Sequence, residues 1–432
     1  KVTGVSNPQV VLVENSSAFI KTANAQVPRD KDANPIPNVI ISGTWVIGEG
    51  GAPPSGIDVP TPPKKVKKII LNFNFGANGN MELKDFHLVG PDGRDGKDDI
   101  DQSCSARGEK GEDAFRMRVI AQNITLNNFR LELGDGGKGG DAKTKKDCDP
   151  GRATGGAGGE AGNFKMTAVG EINIISFTIV PGVGGQGGNA TALGKDGKDA
   201  CPGEKGGDAN AFGGDGGRNK KELSAVGAVS GIGNVTISEV LGGLGGLATA
   251  EPGKGGNGTG CNCGGGKGGN ATSQGGKGGD ASLSIPGGGG TAKGGDGGDA
   301  DSHGGNGGTG GHCPLKPSGG KGGNGGNATS KAGKAGKGTS APGADGTVQD
   351  ETGGDGGNGG DGCGPGNGGK GGQGKPPGND GEKGKIICPE DEKKNQTGTQ
   401  ETPPTQTPPS TTPPPASQTQ KIQVIKMKKL IP

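Results

Sequence analysis

Four stretches of the chain share one spacing of apolar residues. Met81, Leu83, Phe86 and Leu88 are matched by Ile124, Leu126, Phe129 and Leu131, then by Ile172, Ile174, Phe177 and Ile179, and again by Val235, Ile237 and Val240. Apolar positions two apart mark a strand with one buried face, and the step of three in the middle reverses the face. Each block therefore reads as strand–kink–strand. A short strand-like segment precedes the later blocks, as in FRMRVIAQ (115–122), FKMTAVGE (164–171) and LSAVGAV (223–229), and a glycine-rich excursion follows each. A unit that cannot bury its own apolar face, repeated with insertions of unequal length, predicts a solenoid-like winding. Upstream, QVVLV (9–13), NVIISGTWVI (38–47) and KKVKKIILNFNF (64–75) are rich in β-branched residues and bounded by Pro and Gly, which predicts further strands.

The excursions carry a second period. GGDGGNGGDG (353–362) has relatives in GGKGGD (136–141), GGQGGN (184–189), GGDGGR (213–218) and GGKGGNGGN (319–327). Glycine makes up 103 of 432 residues, far above the usual ~7%. Three residues per turn is the period of the left-handed polyproline or polyglycine II helix, which has no internal hydrogen bonds and must find backbone partners in its neighbours. Helices packed ~5 Å apart, in the range of strand spacing, leave no room for Cβ at two of three positions. The third position points away. Asp, Lys, Asn and Gln there suit solvent, while Leu244, Leu247 and Ala157 suit an inner layer. The recurring GGNAT (187–191, 268–272, 325–329) and GGDA (139–142, 206–209, 278–281, 297–300) read as reversals built on Asx side chains.

In these triplets the chain resembles proteins built on polyglycine II bundles: glycine-rich phage tail-tip adhesins, springtail antifreeze proteins and mycobacterial glycine-rich surface proteins. The resemblance spans roughly 134–385 and implies an architecture, not a function. The expected fold is all-β or irregular, with solenoid-like or sandwich strands and long polyglycine II excursions. Its regions are an N-terminal β domain (1–75), a β-repeat region with glycine-rich excursions (76–250), a polyglycine II bundle (251–388), a Pro/Thr/Gln-rich linker (389–420) and a donor-like strand (421–432).

Composition narrows the class. Only 26% of residues are hydrophobic and 2% aromatic, so no large core can run the whole length, and a net charge of +2 leaves little self-repulsion. Eight cysteines (Cys104, Cys148, Cys201, Cys261, Cys263, Cys313, Cys363, Cys388) in glycine-rich surroundings read as a disulfide framework, hence an oxidising, extracellular compartment. A structural metal on Cys261, Cys263, His312 and Cys313 is the competing reading, but no CxxC pair is present. Cys261 and Cys263 are too close to bridge each other comfortably, so each is expected to have a distant partner. Lys1 in place of Met reads as a mature N-terminus left by signal-peptide removal, although an arbitrary starting point would look the same. Sequons in the GGNAT repeats make Asn189, Asn270 and Asn327 glycosylation candidates.

No catalytic constellation is legible. His87 lies in a repeat strand, His303 and His312 lie in glycine triplets without an evident partner, and no strand–loop–helix context exists for a phosphate loop. Asp92, Asp95, Asp98, Asp99 and Asp101 could gather around calcium but lack the twelfth-position Glu of an EF-hand. No apolar run reaches the ~20 residues of a membrane span. Lysines alternate with acids, and aromatics are too few for base stacking. These features point away from an enzyme, from nucleic-acid binding and from a cofactor. They point to a self-assembling extracellular structural protein, with self as partner and glycans or a cell surface as possible contacts. An adhesin is the alternative, and an ice-binding protein is a more remote one. The tail KIQVIKMKKLIP (421–432), with Ile422, Val424 and Ile425 apolar, cannot be stable as a lone strand. It needs a sheet edge in its own or a neighbouring subunit.

Overall fold

The computed structural model describes residues 80–286, 290–313, 318–361 and 364–387, together with the backbone of strands Gln9–Glu14, Asn38–Val46 and Val66–Asn74. The chain divides into two units, Lys1–Cys388 and Pro389–Pro432, and every described residue belongs to the first. Among them there is no helix; the molecule is all-β, built of mostly parallel sheets, none closed.

One coil illustrates the winding. Asn123–Asn127 and Phe129–Glu132 run outward, joined at Asn128. A glycine-rich stretch (134–141) carries the chain to Ala142–Lys143, it reverses near Cys148, and it returns through Gly151–Thr154. A second glycine-rich stretch (155–162) leads into Asn163–Ala168, after which the next coil begins. Each segment pairs in parallel with its equivalent one coil later, for example Phe164 with Lys221 and Ala190 with Ala248. The result is two layers, outgoing and return, each crossed by two main sheets with glycine-rich segments between, and a fifth, two-stranded sheet pairs Val240–Leu241 with Ala292–Lys293. The proximal pair is an eight-stranded outgoing sheet and a six-stranded return sheet; the distal pair has six and five strands. Pairing continues through residue 250 without interruption.

The proximal sheets enclose the main core. Met81, Ile124 and Ile172 stack in register, as do Leu83, Leu126 and Ile174, and Leu88, Leu131 and Ile179, all fully or almost fully buried. Phe86, Phe129 and Phe177 form a column of parallel rings at 5.7 and 5.2 Å, with Phe164 of the return layer edge-on to Phe177 at 6.0 Å. At the kink, Asp85 and Asn128 adopt left-handed φ of 47° and 54°, a region that Asp and Asn tolerate, and Asn128 Nδ2 donates to Asp85 Oδ1. The fourth block departs from the expected alignment. Val235 pairs with Phe177 and Ile237 with Ile179, while Val229 takes the place opposite Ile172. The chain runs five residues out of the register its apolar spacing implies.

The distal sheets need smaller side chains, because the flanking glycine segments hold the layers close. Their inner positions are Ala106, Ala142, Ala153, Ala190, Ala192 and equivalents, all buried. Where serine replaces alanine, the hydroxyls bond one another: Ser330 Oγ lies 3.1 Å from Ser273 Oγ and 2.7 Å from Ser302 Oγ, and donates to the Asp350 carbonyl.

Candidate functional site

The glycine segments show what each triplet position does. The first glycine donates to the third-position carbonyl of the next coil, as Gly136 N does to Val183 O and Gly139 N to Gln186 O. The second crosses between layers. Gly140 N donates to Glu109 O, Gly156 N to Gly140 O, Gly188 N to Gly156 O, Gly214 N to Gly188 O and Gly246 N to Gly214 O, a zigzag of 2.7–2.8 Å bonds down the molecule. A Cβ on either glycine would strike backbone: one on Gly188 would lie 2.0 Å from Gly140 O, and one on Gly322 would lie 1.7 Å from Gly357 O.

The third residue has a role beyond solvation. Its own N–H would be left over, and where Asp or Asn stands one coil earlier its side-chain oxygen accepts it. Val183 N donates to Asp135 Oδ1, Asn189 N to Asp141, Leu247 N to Asn189, Lys277 N to Asp215 and Asn327 N to Asn270, at 2.7–3.0 Å. Asp and Asn are thus built into the backbone network. Asp299 takes the backbone N–H of Thr347, its hydroxyl and the Gln349 amide; the backbone bond foremost, these hold its carboxyl below the usual range.

Three readings from sequence change here. GGNAT and GGDA are not reversals: Ala142, Ala190, Ala209, Ala271, Ala281, Ala300 and Ala328 open strands, and the preceding Asp or Asn bonds across coils. Leu244 and Leu247 are 48% and 46% exposed and Ala157 is half-buried, so none belongs to an inner layer. Third positions face outward whatever their polarity, because the inward space admits only glycine. The histidines also have partners. His87 Nε2 lies 3.0 Å from Glu132, His312 Nδ1 lies 3.4 Å from Asp361, and His303 faces Asp350 and Asp301, in each case reaching an acid one coil on.

Six of the cysteines sit at the reversals. Cys104–Cys148, Cys201–Cys263 and Cys261–Cys313 are disulfide-bonded with Cα separations of 5.3, 4.9 and 4.7 Å. Each joins the turns of adjacent coils at the distal end. Cys261 and Cys263 go to different partners; Cys363 and Cys388 lie outside the described residues. Asn189 is half-buried and Asn270 and Asn327 are exposed, each with Oδ1 engaged by the next coil. Asp92, Asp95 and Asp98 are strung along one segment as acceptors for Asp135, Lys138 and Asp141, Asp99 accepts Arg107 N–H, and Asp101 pairs with Lys143. They do not converge on a common point.

Two proximal features stand out. Lys221 occupies the in-register place of Phe164, fully buried, with Nζ donating to Gly162 O and Asn219 Oδ1; burial pushes its amine down to about 7. Further on, the eight-stranded sheet ends at Val229–Ser230 and Asn234–Ile237, and no described strand pairs with their outer edge. Val229, Val235 and Ile237 there are only partly buried against the core. Residues 421–432, with Ile422, Val424 and Ile425, lie outside the described residues.

No family model matches the chain, and no curated protein matches it. Among solved structures it is similar to a nine-helix polyproline II bundle, a springtail antifreeze protein from Granisotoma rainieri. The identity is 24% over 44% of this chain and 93% of that one, with a TM-score of 0.10, which supports no argument. No described helix is long and apolar enough to cross a membrane.

Proposed function

We propose that this chain is an extracellular structural protein that assembles with copies of itself into a filament, fibre or sheath, each subunit lending residues 421–432 as a strand to a neighbour. In this reading the glycine segments are polyglycine II helices. The support is the period of their hydrogen bonds: donors to a given neighbour recur every third residue, as a three-fold helix requires and a two-fold strand does not. The disulfides across coil reversals suit an oxidising compartment.

The observation that carries the assembly reading is that, among the described residues, no strand pairs with the outer edge of the eight-stranded sheet at Val229–Ser230 and Asn234–Ile237. An unpaired edge beside half-covered apolar residues is a template for strand addition. KIQVIKMKKLIP offers an apolar strand flanked by lysines, and about 19 preceding Pro/Thr/Gln-rich residues at ~3.1 Å each could span roughly 60 Å. A tail-to-edge contact is heterologous, so it propagates unless it closes a ring. Deleting residues 421–432 and imaging by electron microscopy tests this. Filaments from the full chain and folded monomers from the deletion are expected. Unchanged filaments would remove strand exchange, and a full chain that stays monomeric would remove the structural role.

A further inference from the structure

The outer face of the distal outgoing sheet carries one column that runs against charge. In register across successive coils it reads Lys143, Thr191, Thr249, Asp301 and Asp350. Like charges directly opposite on neighbouring strands destabilise a sheet, and here two carboxylates face each other at its last strand pair. His303 lies two residues beyond Asp301 on the same strand and the same face, its Nδ1 3.5 Å from Asp301 Oδ1 and its Nε2 3.0 Å from Asp350 Oδ2. Asp350 is otherwise engaged through Oδ1, which accepts from the N–H and hydroxyl of Thr352. Asp301 Oδ1 is different: it is shielded from solvent and receives no hydrogen bond. A buried acceptor without a donor is costly and calls for a proton or a cation.

We propose that Asp301, His303 and Asp350 form a binding site for a divalent transition metal such as zinc, which ties together the two last coils of the distal outgoing sheet. One ligand atom from each residue lies within 4.8 Å of the other two, so modest side-chain rotation brings them to the ~2.0–2.2 Å that zinc takes from carboxylate and imidazole. His303 is 49% exposed at its side chain and Asp350 39%, which leaves the outer coordination positions to water. The other two histidines each face a single acid, and neither of those acids has a solvent-shielded oxygen without a donor among the described residues. A nitrogen ligand favours zinc, nickel or copper over calcium, which takes oxygen.

The test uses the full-length, disulfide-intact chain stripped of metal by chelator. Titration with zinc chloride by calorimetry should give one site per chain and a rise in melting temperature. Both should vanish in His303→Gln and in Asp301→Asn and persist in His312→Gln. A copper(II) spectrum should show coupling to one nitrogen in the native chain and to none in His303→Gln, a readout that does not depend on stability. Absence of zinc binding, or binding that survives both substitutions, would overturn the site.

Discussion

The proximal and distal parts of each coil follow the same path and are held together differently. Proximally, layers are kept apart by Phe, Leu, Ile and Met, and cohesion comes from burial: the column Phe86–Phe129–Phe177 passes from coil to coil in register. In the glycine segments there is almost no side chain to bury, and the layers close until backbone bonds backbone directly, as in Gly188 N to Gly156 O at 2.7 Å. Alanine takes over in the distal sheets, and disulfides then secure the reversals. A chain with little hydrophobic content can therefore be ordered if the backbone donors that face its neighbours find acceptors there. The cost is sequence rigidity of another kind. An apolar core tolerates exchange among side chains of similar volume, whereas a glycine position tolerates none.

That contrast sets the largest expected effect. Gly322→Val would place Cβ 1.7 Å from Gly357 O, with backbone as the only thing that can yield, so destabilisation beyond about 5 kcal/mol and loss of folded protein are expected. Phe177→Ala should cost about 3–5 kcal/mol and leave a folded, weaker chain. Chemical denaturation of both variants checks the ranking. Equal or reversed effects would mean that burial, not backbone packing, limits the molecule.

A smaller effect probes Lys221, where, among the described residues, the proximal core holds a charge-bearing group. The Lys221 amine sits near 7 in the folded chain against 10.5 when free. Between those values the unfolded chain binds more protons, so stability rises with pH across about 7 to 10.5, by at most about 1.4 kcal/mol per unit from this group. Below 7 the penalty is fully present. The slope in native chain minus that in Lys221→Met isolates the contribution; identical slopes would show that the amine is solvated.

Much of the winding was legible in the sequence, and the misses have physical causes. The first three apolar blocks stack as aligned, each carrying a phenylalanine just past the kink. The fourth lacks that mark, and Val229, Val235 and Ile237 offer equivalent columns five residues apart. Triplet glycines announced close packing, since only absent Cβ atoms explain them. The purpose of Asp and Asn could not be read locally, because their partners lie a full coil away: Asp141 bonds Asn189 N, and Asp208 bonds Asn270 N, 62 residues on. Taking GGDA for a turn was the consequence. His303 looked isolated for the same reason, as Asp350 is 47 residues distant.

The central claim is that third-position Asp and Asn close the backbone network of the glycine segments, and amide hydrogen exchange read residue by residue tests it most directly. The N–H groups of Val183, Asn189, Leu247 and Lys277, each donating to an Asp or Asn side chain one coil earlier, should exchange slowly, with protection near that of the interlayer glycines. The N–H groups of Gln186 and Leu244 follow Lys138 and Gln186 in their column, which offer no such oxygen at that place, and should exchange fast. If both sets exchange alike, the side-chain acceptors contribute nothing to order, and the claim fails.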